Sequence, residues 1–230
     1  MSSFANFIER RKFMLLLLSL VFVQIVPVVQ GTPDEGRAGI MWGLVMLAAV
    51  NAVAETRRRA LLFAAVAIMT LGGRIASAVG TQEAIADRVE AGTFVVASMF
   101  LAMTIYVAMR AVFRPGQIRG DSVMGAICVY LMIGYMWANL YSIVELTVPG
   151  SFNFPDYARP TPGSVIPEYT FGYYSFVTLT TLGYGDIIPI SYRARTLSWM
   201  EAVVGVAFMA TTIAFLISQI VVDRQHGHEL

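Results

Sequence analysis

The run Tyr173-Tyr174-Ser175-Phe176-Val177-Thr178-Leu179-Thr180-Thr181-Leu182-Gly183-Tyr184-Gly185-Asp186 decides how the rest of the chain is read. From Tyr169 to Gly185 no charged residue occurs for 17 positions. A helix needs about 20 apolar residues to cross a bilayer core of ~30 Å, so this stretch is too short to cross and return. It is also too apolar for a wet loop. A re-entrant segment resolves the conflict, because non-helical backbone at membrane depth is tolerated only where it lines a watery path or is buried in protein. Pro167 and Glu168 suit the first turn of a short helix, the proline by its fixed φ and the acid by meeting the positive end of the dipole. That helix must stop before Gly183-Tyr184-Gly185, where glycines at alternate positions let the backbone take positive φ. An extended run of alternating handedness aims successive carbonyls the same way. Several such strands around an axis build stacked oxygen rings that replace the hydration shell of a cation.

The rest of the chain is consistent with lipid as solvent. Of 230 residues, 57% are hydrophobic and 13% charged, against about 25% charged in soluble domains. A soluble domain, a disordered tail and a nucleic-acid binder are excluded. The net charge of +1 names no partner. A single cysteine, Cys128, rules out an intrachain disulfide framework and a multi-thiolate metal site. Six stretches have the length and apolarity of spans: 13–29, 39–54, 60–80, 91–109, 122–144 and 196–222. Arg10, Arg11 and Lys12 precede the first, Arg57, Arg58 and Arg59 follow the second, and Arg110, Arg114 and Arg119 follow the fourth. The alternate loops carry Asp34 and Glu35, then Glu83, Asp87 and Glu90. Basic residues gather on the cytoplasmic side, so six crossings in the cell membrane with both termini cytoplasmic are predicted. No A-x-A-like cleavage site follows the first apolar run, which is read as a retained span. Between the last two spans, Pro149, Pro155, Pro160, Pro162 and Pro167 predict an irregular extracellular turret.

Thr180–Asp186, TTLGYGD, closely resembles the TVGYGD signature of potassium channels, and the spans look like a six-helix member of the tetrameric (voltage-gated-like) cation channel superfamily. Small bacterial ion channels share phrases such as Trp137-Ala138, Pro149-Gly150-Ser151-Phe152 and Leu197–Glu201. The resemblance covers residues 122–222, and the first four spans match in number and topology only. It implies an all-α membrane protein with six transmembrane helices per chain, a re-entrant pore helix, an extended selectivity filter and a homotetrameric pore. It also implies that K+ is held by carbonyls of Thr181, Leu182, Gly183 and Tyr184 and by the Thr181 hydroxyl. Gly185 completes the filter and Asp186 stands at the outer mouth. Tyr173, Tyr174, Val177, Thr178 and Thr180 support the filter from the pore helix, and Gly205 stands where relatives have a hinge or gating glycine. Leu182 replaces the usual Val, Tyr173-Tyr174 replaces the usual aromatic pair, and Val177 stands where some relatives have a Glu paired with the filter aspartate. The segments implied are a cytoplasmic N-terminus 1–12, a four-helix module 13–114, a pore domain 115–222 and a tail 223–230. Within the pore domain lie an outer helix 122–146, turret 147–166, pore helix 167–180, filter 181–186 and inner helix 195–222.

Some residues carry separate expectations. Glu201 is a carboxylate inside a span, which is costly unless satisfied, so it is expected to face the back of the pore helix and bond Thr178, Thr180 or Tyr141. Gly205 also reads as a packing glycine. Arg74 reads as a snorkelling or paired arginine. The break at Arg114-Pro115-Gly116 argues against a long linker helix, so the four-helix module is expected beside its own pore domain. No HExxH or GxSxG occurs, and the only two histidines are in the tail, so no enzyme is expected. The expected partners are copies of the chain, membrane lipids and K+, with no nucleic acid and no cofactor. A non-selective or sodium-permeable cation channel is the alternative. Voltage sensing needs several arginines along the fourth span, each contributing ~2.3 kcal/mol per 100 mV when moved fully across, yet residues 91–109 carry none. Purified protein in a planar bilayer is therefore expected to show a shallow conductance–voltage relation, and a steep one would refute this.

Overall fold

The computed structural model describes residues 12–30, 83–113, 120–155 and 168–227, with short helical fragments between 65 and 72. In chain order the elements are α1 (Lys12–Gln30), α2 (Glu83–Val112), α3 (Gly120–Thr147), β1 (Phe152–Asn153), α4 (Glu168–Leu179), β2 (Ile188–Pro189) and α5 (Tyr192–Gly227). Among the described residues, three helices contain stretches long and apolar enough to cross a membrane: Arg88–Val112, Ser122–Thr147 and Tyr192–Gln219. Helix α1 contributes a shorter apolar stretch, Phe13–Phe22. The expected spans at 39–54 and over most of 60–80, with Arg74, lie outside the described residues, as does the end of the turret.

These sequences form helices for two reasons. Their interiors are free of breakers over long stretches, and in lipid a helix satisfies its own peptide groups. Some hydroxyls within these helices are satisfied locally. Thr93 donates to the Val89 carbonyl, Ser98 to that of Phe94 and Ser142 to that of Ala138, at 2.8, 2.8 and 3.1 Å. Such bonds to the preceding turn cost the helix little. Helix α5 starts at a cap: the Ser191 hydroxyl accepts from the Ala194 amide at 3.2 Å.

The chain divides into two compact units, residues 1–68, 103–131 and 209–230 in one and 69–102 and 132–208 in the other. In the first, α1, α2 and α3 meet at Gly125, where an added Cβ would lie 2.7 Å from Val112 and 3.3 Å from Phe13. There the Cys128 thiol donates to the Phe13 carbonyl at 3.4 Å. The Phe113 and Phe215 rings pack edge to face, centroids 4.9 Å apart.

The second unit holds α4 against α3 and the start of α5. Its core is aromatic: Tyr141 of α3, Phe152 of β1, and Phe171 and Tyr174 of α4. Phe152 packs edge to face on all three of the others at 5.0–5.5 Å. Gly134 lets α3 and α4 approach closely, since a Cβ there would meet the Phe176 ring at 2.5 Å. The turret is not wholly irregular. Strand β1 pairs antiparallel with β2, Phe152 opposite Pro189 and Asn153 opposite Ile188. The Ser151 carbonyl accepts the amides of Ile190 and Ser191 at 2.7 and 3.2 Å. Glu145, at the end of α3, accepts the amides of Gly150 (2.7 Å) and Phe152 (3.0 Å), so one carboxylate shapes the turn that delivers β1. Truncation of Phe152 to alanine is expected to destabilise the protein by ~3–5 kcal/mol, seen as a lower midpoint of thermal unfolding in detergent.

Candidate functional site

The site begins where α4 ends. The amide of Thr181 bonds the Thr178 carbonyl and that of Leu182 bonds the Val177 carbonyl, both at 2.9 Å. These are the two bonds of a Schellman motif, with Thr181 at the C′ position that glycine usually fills. Thr181 accordingly has φ +60°, unusual for a β-branched residue. Gly183 and Gly185 follow with φ of +57° and +74°. Left-handed residues therefore stand at 181, 183 and 185, with Leu182 and Tyr184 between them at negative φ. This alternation of backbone sign sets the run apart from both the helix before it and the strand after it. Residues 182–185 adopt no regular secondary structure, and 181–185 are exposed in the single chain.

Both ends of this segment are pinned. At its start, the Val177 carbonyl also accepts the Gly183 amide at 3.2 Å. At its exit, the Tyr173 hydroxyl donates to Asp186 Oδ2 at 2.7 Å, and Asp186 Oδ1 accepts the Ile187 amide at 3.0 Å. The rings of Tyr173 and Tyr184 stack, 6.5 Å apart and 11° from parallel. Beyond Ile187, the β1–β2 pairing ties the chain to the turret. The negative end of the α4 dipole points into the start of the segment, and no basic side chain occupies the last turn of α4.

Behind α4 the supports are polar. Ser198 donates to the Ala194 carbonyl at 2.8 Å, so the Tyr174 hydroxyl, 2.7 Å away, is the donor to Ser198. Thr180 turns its hydroxyl back onto the Phe176 carbonyl at 2.6 Å. Val177 is buried and Thr178 half-buried. Glu201 of α5 is fully buried. It accepts from the Tyr141 hydroxyl, and its other oxygen lies 2.5 Å from Ser175 Oγ. Of the three partners expected for Glu201, Tyr141 is found. Thr178 and Thr180 are not bonded to it; Ser175 takes their place. Ser175 had a signal in the sequence, since it shares one face of α4 with Phe171 and Tyr174 at helical spacing. What the sequence lacked was the rotation of that face toward α5. Gly205 is buried, and a Cβ there would collide with the Leu179 carbonyl at the end of α4. Gly205 thus has a packing reason that holds whether or not the helix bends there.

Residues 169–222 match the protein-family model described as Ion channel. No curated protein and no solved structure matches the chain. The match covers α4, the segment with three left-handed residues and most of α5. Over this segment the chain is similar to ion channels.

Two outcomes follow from this geometry. Thr181→Gly relieves a left-handed β-branched residue, a strain of roughly 1–2 kcal/mol, so it is expected to raise the midpoint of thermal unfolding. Gly205→Ala forces α5 away from a backbone carbonyl and is expected to destabilise by ~1–3 kcal/mol, measured as a drop in melting midpoint.

Proposed function

We propose that the protein is a potassium-selective channel, a homotetramer that conducts K+ passively through a central pore in the cell membrane. The observation that carries this reading is the alternation of positive φ at Thr181, Gly183 and Gly185. It presents the carbonyls of Thr181, Leu182, Gly183 and Tyr184, with the Thr181 hydroxyl, as a column of oxygens matched to a dehydrated monovalent cation. A single column coordinates from one side. Four copies around an axis complete each ring, which makes the homotetramer part of the same proposal. The surface of α5 agrees with this. Only 22% of its spanning window is buried within the chain, against 61% for α3. Trp199, Val203, Val206, Ile213 and Ile217 are all at least half exposed, apolar surface suited to neighbouring copies and lipid.

In this reading Tyr173 and the Tyr184 ring brace the filter from outside, and Asp186 concentrates cations at the outer mouth. The chain crosses the membrane six times with both termini cytoplasmic, following the basic clusters. The four helices before the pore domain lack the arginine series of a voltage sensor, so steep voltage gating is not part of this reading.

The test is K+ flux from liposomes containing the purified protein, together with the reversal potential in a K+/Na+ gradient. A reversal potential near the K+ equilibrium value is expected. One near zero points instead to a non-selective or sodium-permeable channel of the same architecture. Gly183→Ala is the control. Among the described residues of the chain nothing lies within 4 Å of the position of its Cβ, and the φ of +57° strains any side chain placed there. The substitution costs roughly 1–2 kcal/mol of backbone strain and is expected to abolish selective flux while the protein still assembles.

A further inference from the structure

Three close oxygen contacts meet behind α4. Tyr141 hydroxyl bonds Glu201 Oε2, Ser175 Oγ lies 2.5 Å from Glu201 Oε1, and Ser175 Oγ lies 2.7 Å from the Gly134 carbonyl oxygen. Each contact needs a hydrogen between its oxygens. The Gly134 carbonyl has none to give, and each hydroxyl has one. Tyr141 spends its proton on Oε2 and Ser175 donates to Gly134. The third contact, between Ser175 and Oε1, is left without a hydrogen unless the carboxyl supplies it.

We propose that Glu201 is a neutral carboxylic acid that positions the filter, donating through Ser175 to the α3 backbone while accepting from Tyr141. This rests on the channel reading above and adds a residue outside the filter that the conducting geometry depends on. The relay runs Glu201 Oε1–H to Ser175 Oγ, then Ser175 Oγ–H to the Gly134 carbonyl, and it joins α5, α4 and α3 at one point. Ser175 lies two residues before Val177, whose carbonyl closes the Schellman turn into the filter. A second relay of the same form, Tyr174 to Ser198 to the Ala194 carbonyl, lies one residue away on α4 and contains no carboxyl. Among the described residues, the titratable groups packed around Glu201 are the phenols of Tyr141 on α3 and Tyr174 on α4. Neither supplies a positive charge that would hold a carboxylate ionised, and Glu201 is fully buried. A neutral acid meets these surroundings at far lower cost than an anion.

The protonation is read directly by infrared difference spectroscopy of the full-length protein in liposomes, wild type minus Glu201→Gln. A protonated-carboxyl C=O stretch present in wild type and missing in the variant is expected. Tyr141→Phe should move that band to higher frequency, because it removes the donor to the carbonyl oxygen. Flux supplies the second readout. Glutamine can donate to Ser175 and accept from Tyr141, so Glu201→Gln should keep K+ flux within about twofold of wild type, whereas Glu201→Ala, which orphans two buried hydroxyls, should lose roughly tenfold or more. A carboxylate signature in wild type overturns the proposal. So does loss of flux in an assembled Glu201→Gln channel, which would show that the negative charge is what matters. If the wild type passes no K+, the channel reading fails, and the infrared difference still decides whether Glu201 carries the proton.

Discussion

The carbonyl of Val177 accepts amide hydrogens from Leu182 and Gly183, and the rest of the site depends on the turn they close. At membrane depth a backbone that leaves a helix must find partners for its peptide groups or face water. The Schellman turn meets the first part of that demand. It satisfies the last amides, stops α4 abruptly and sets Thr181 left-handed. Once Thr181 has that sign, Gly183 and Gly185 continue it at alternate positions. The carbonyls of this run are the ones proposed to meet an ion.

A backbone in this conformation does not hold itself. Thr181 carries a conformational cost, and no ladder of hydrogen bonds supports residues 182–185. The supports lie around the segment and are of two kinds. Outside are the Tyr173–Asp186 bond, the Tyr173–Tyr184 stack and the short sheet that anchors the exit to the turret. Inside are the contacts of α4 with α3 and α5, where Gly134 and Gly205 bring backbones close and hydroxyls and one carboxyl bridge them. Small residues allow the approach, and polar relays then fix the rotation of each helix about its axis. Strain at a functional segment persists because surrounding contacts over-determine it.

The aromatic cluster of Tyr141, Phe152, Phe171 and Tyr174 links these two sets of supports. Phe152 sits in the strand that holds the exit, while Tyr141 bonds Glu201 behind the helix. The strand at the exit and the buried carboxyl therefore share one neighbour, Tyr141.

Much of this was legible in the chain before any coordinates. Apolar run lengths located the three helices that, among the described residues, are long and apolar enough to cross a membrane, because a bilayer imposes a length on any helix that crosses it. The charge-free stretch ending in Gly183-Tyr184-Gly185 announced a short helix followed by a change of backbone sign, because only glycine adopts positive φ freely. Glu201 was recognisable as needing a partner, since hydrocarbon does not tolerate a bare carboxylate. The choice of that partner was not legible. Ser175 and Thr178 both lie on α4 within one turn, and which of them meets Glu201 depends on how α4 is rotated against α5. Packing at Gly134 and Gly205 decides that rotation. The left-handed Thr181 was hidden for a related reason: local preference argues against it, and only the geometry of the helix end and the contacts beyond it override that preference. Sequence by itself determined which segments are long and apolar enough to cross a membrane and where the backbone must break. Tertiary structure decided which side chains face one another across the break, because rotation about a helix axis is set by contacts between segments distant in the chain.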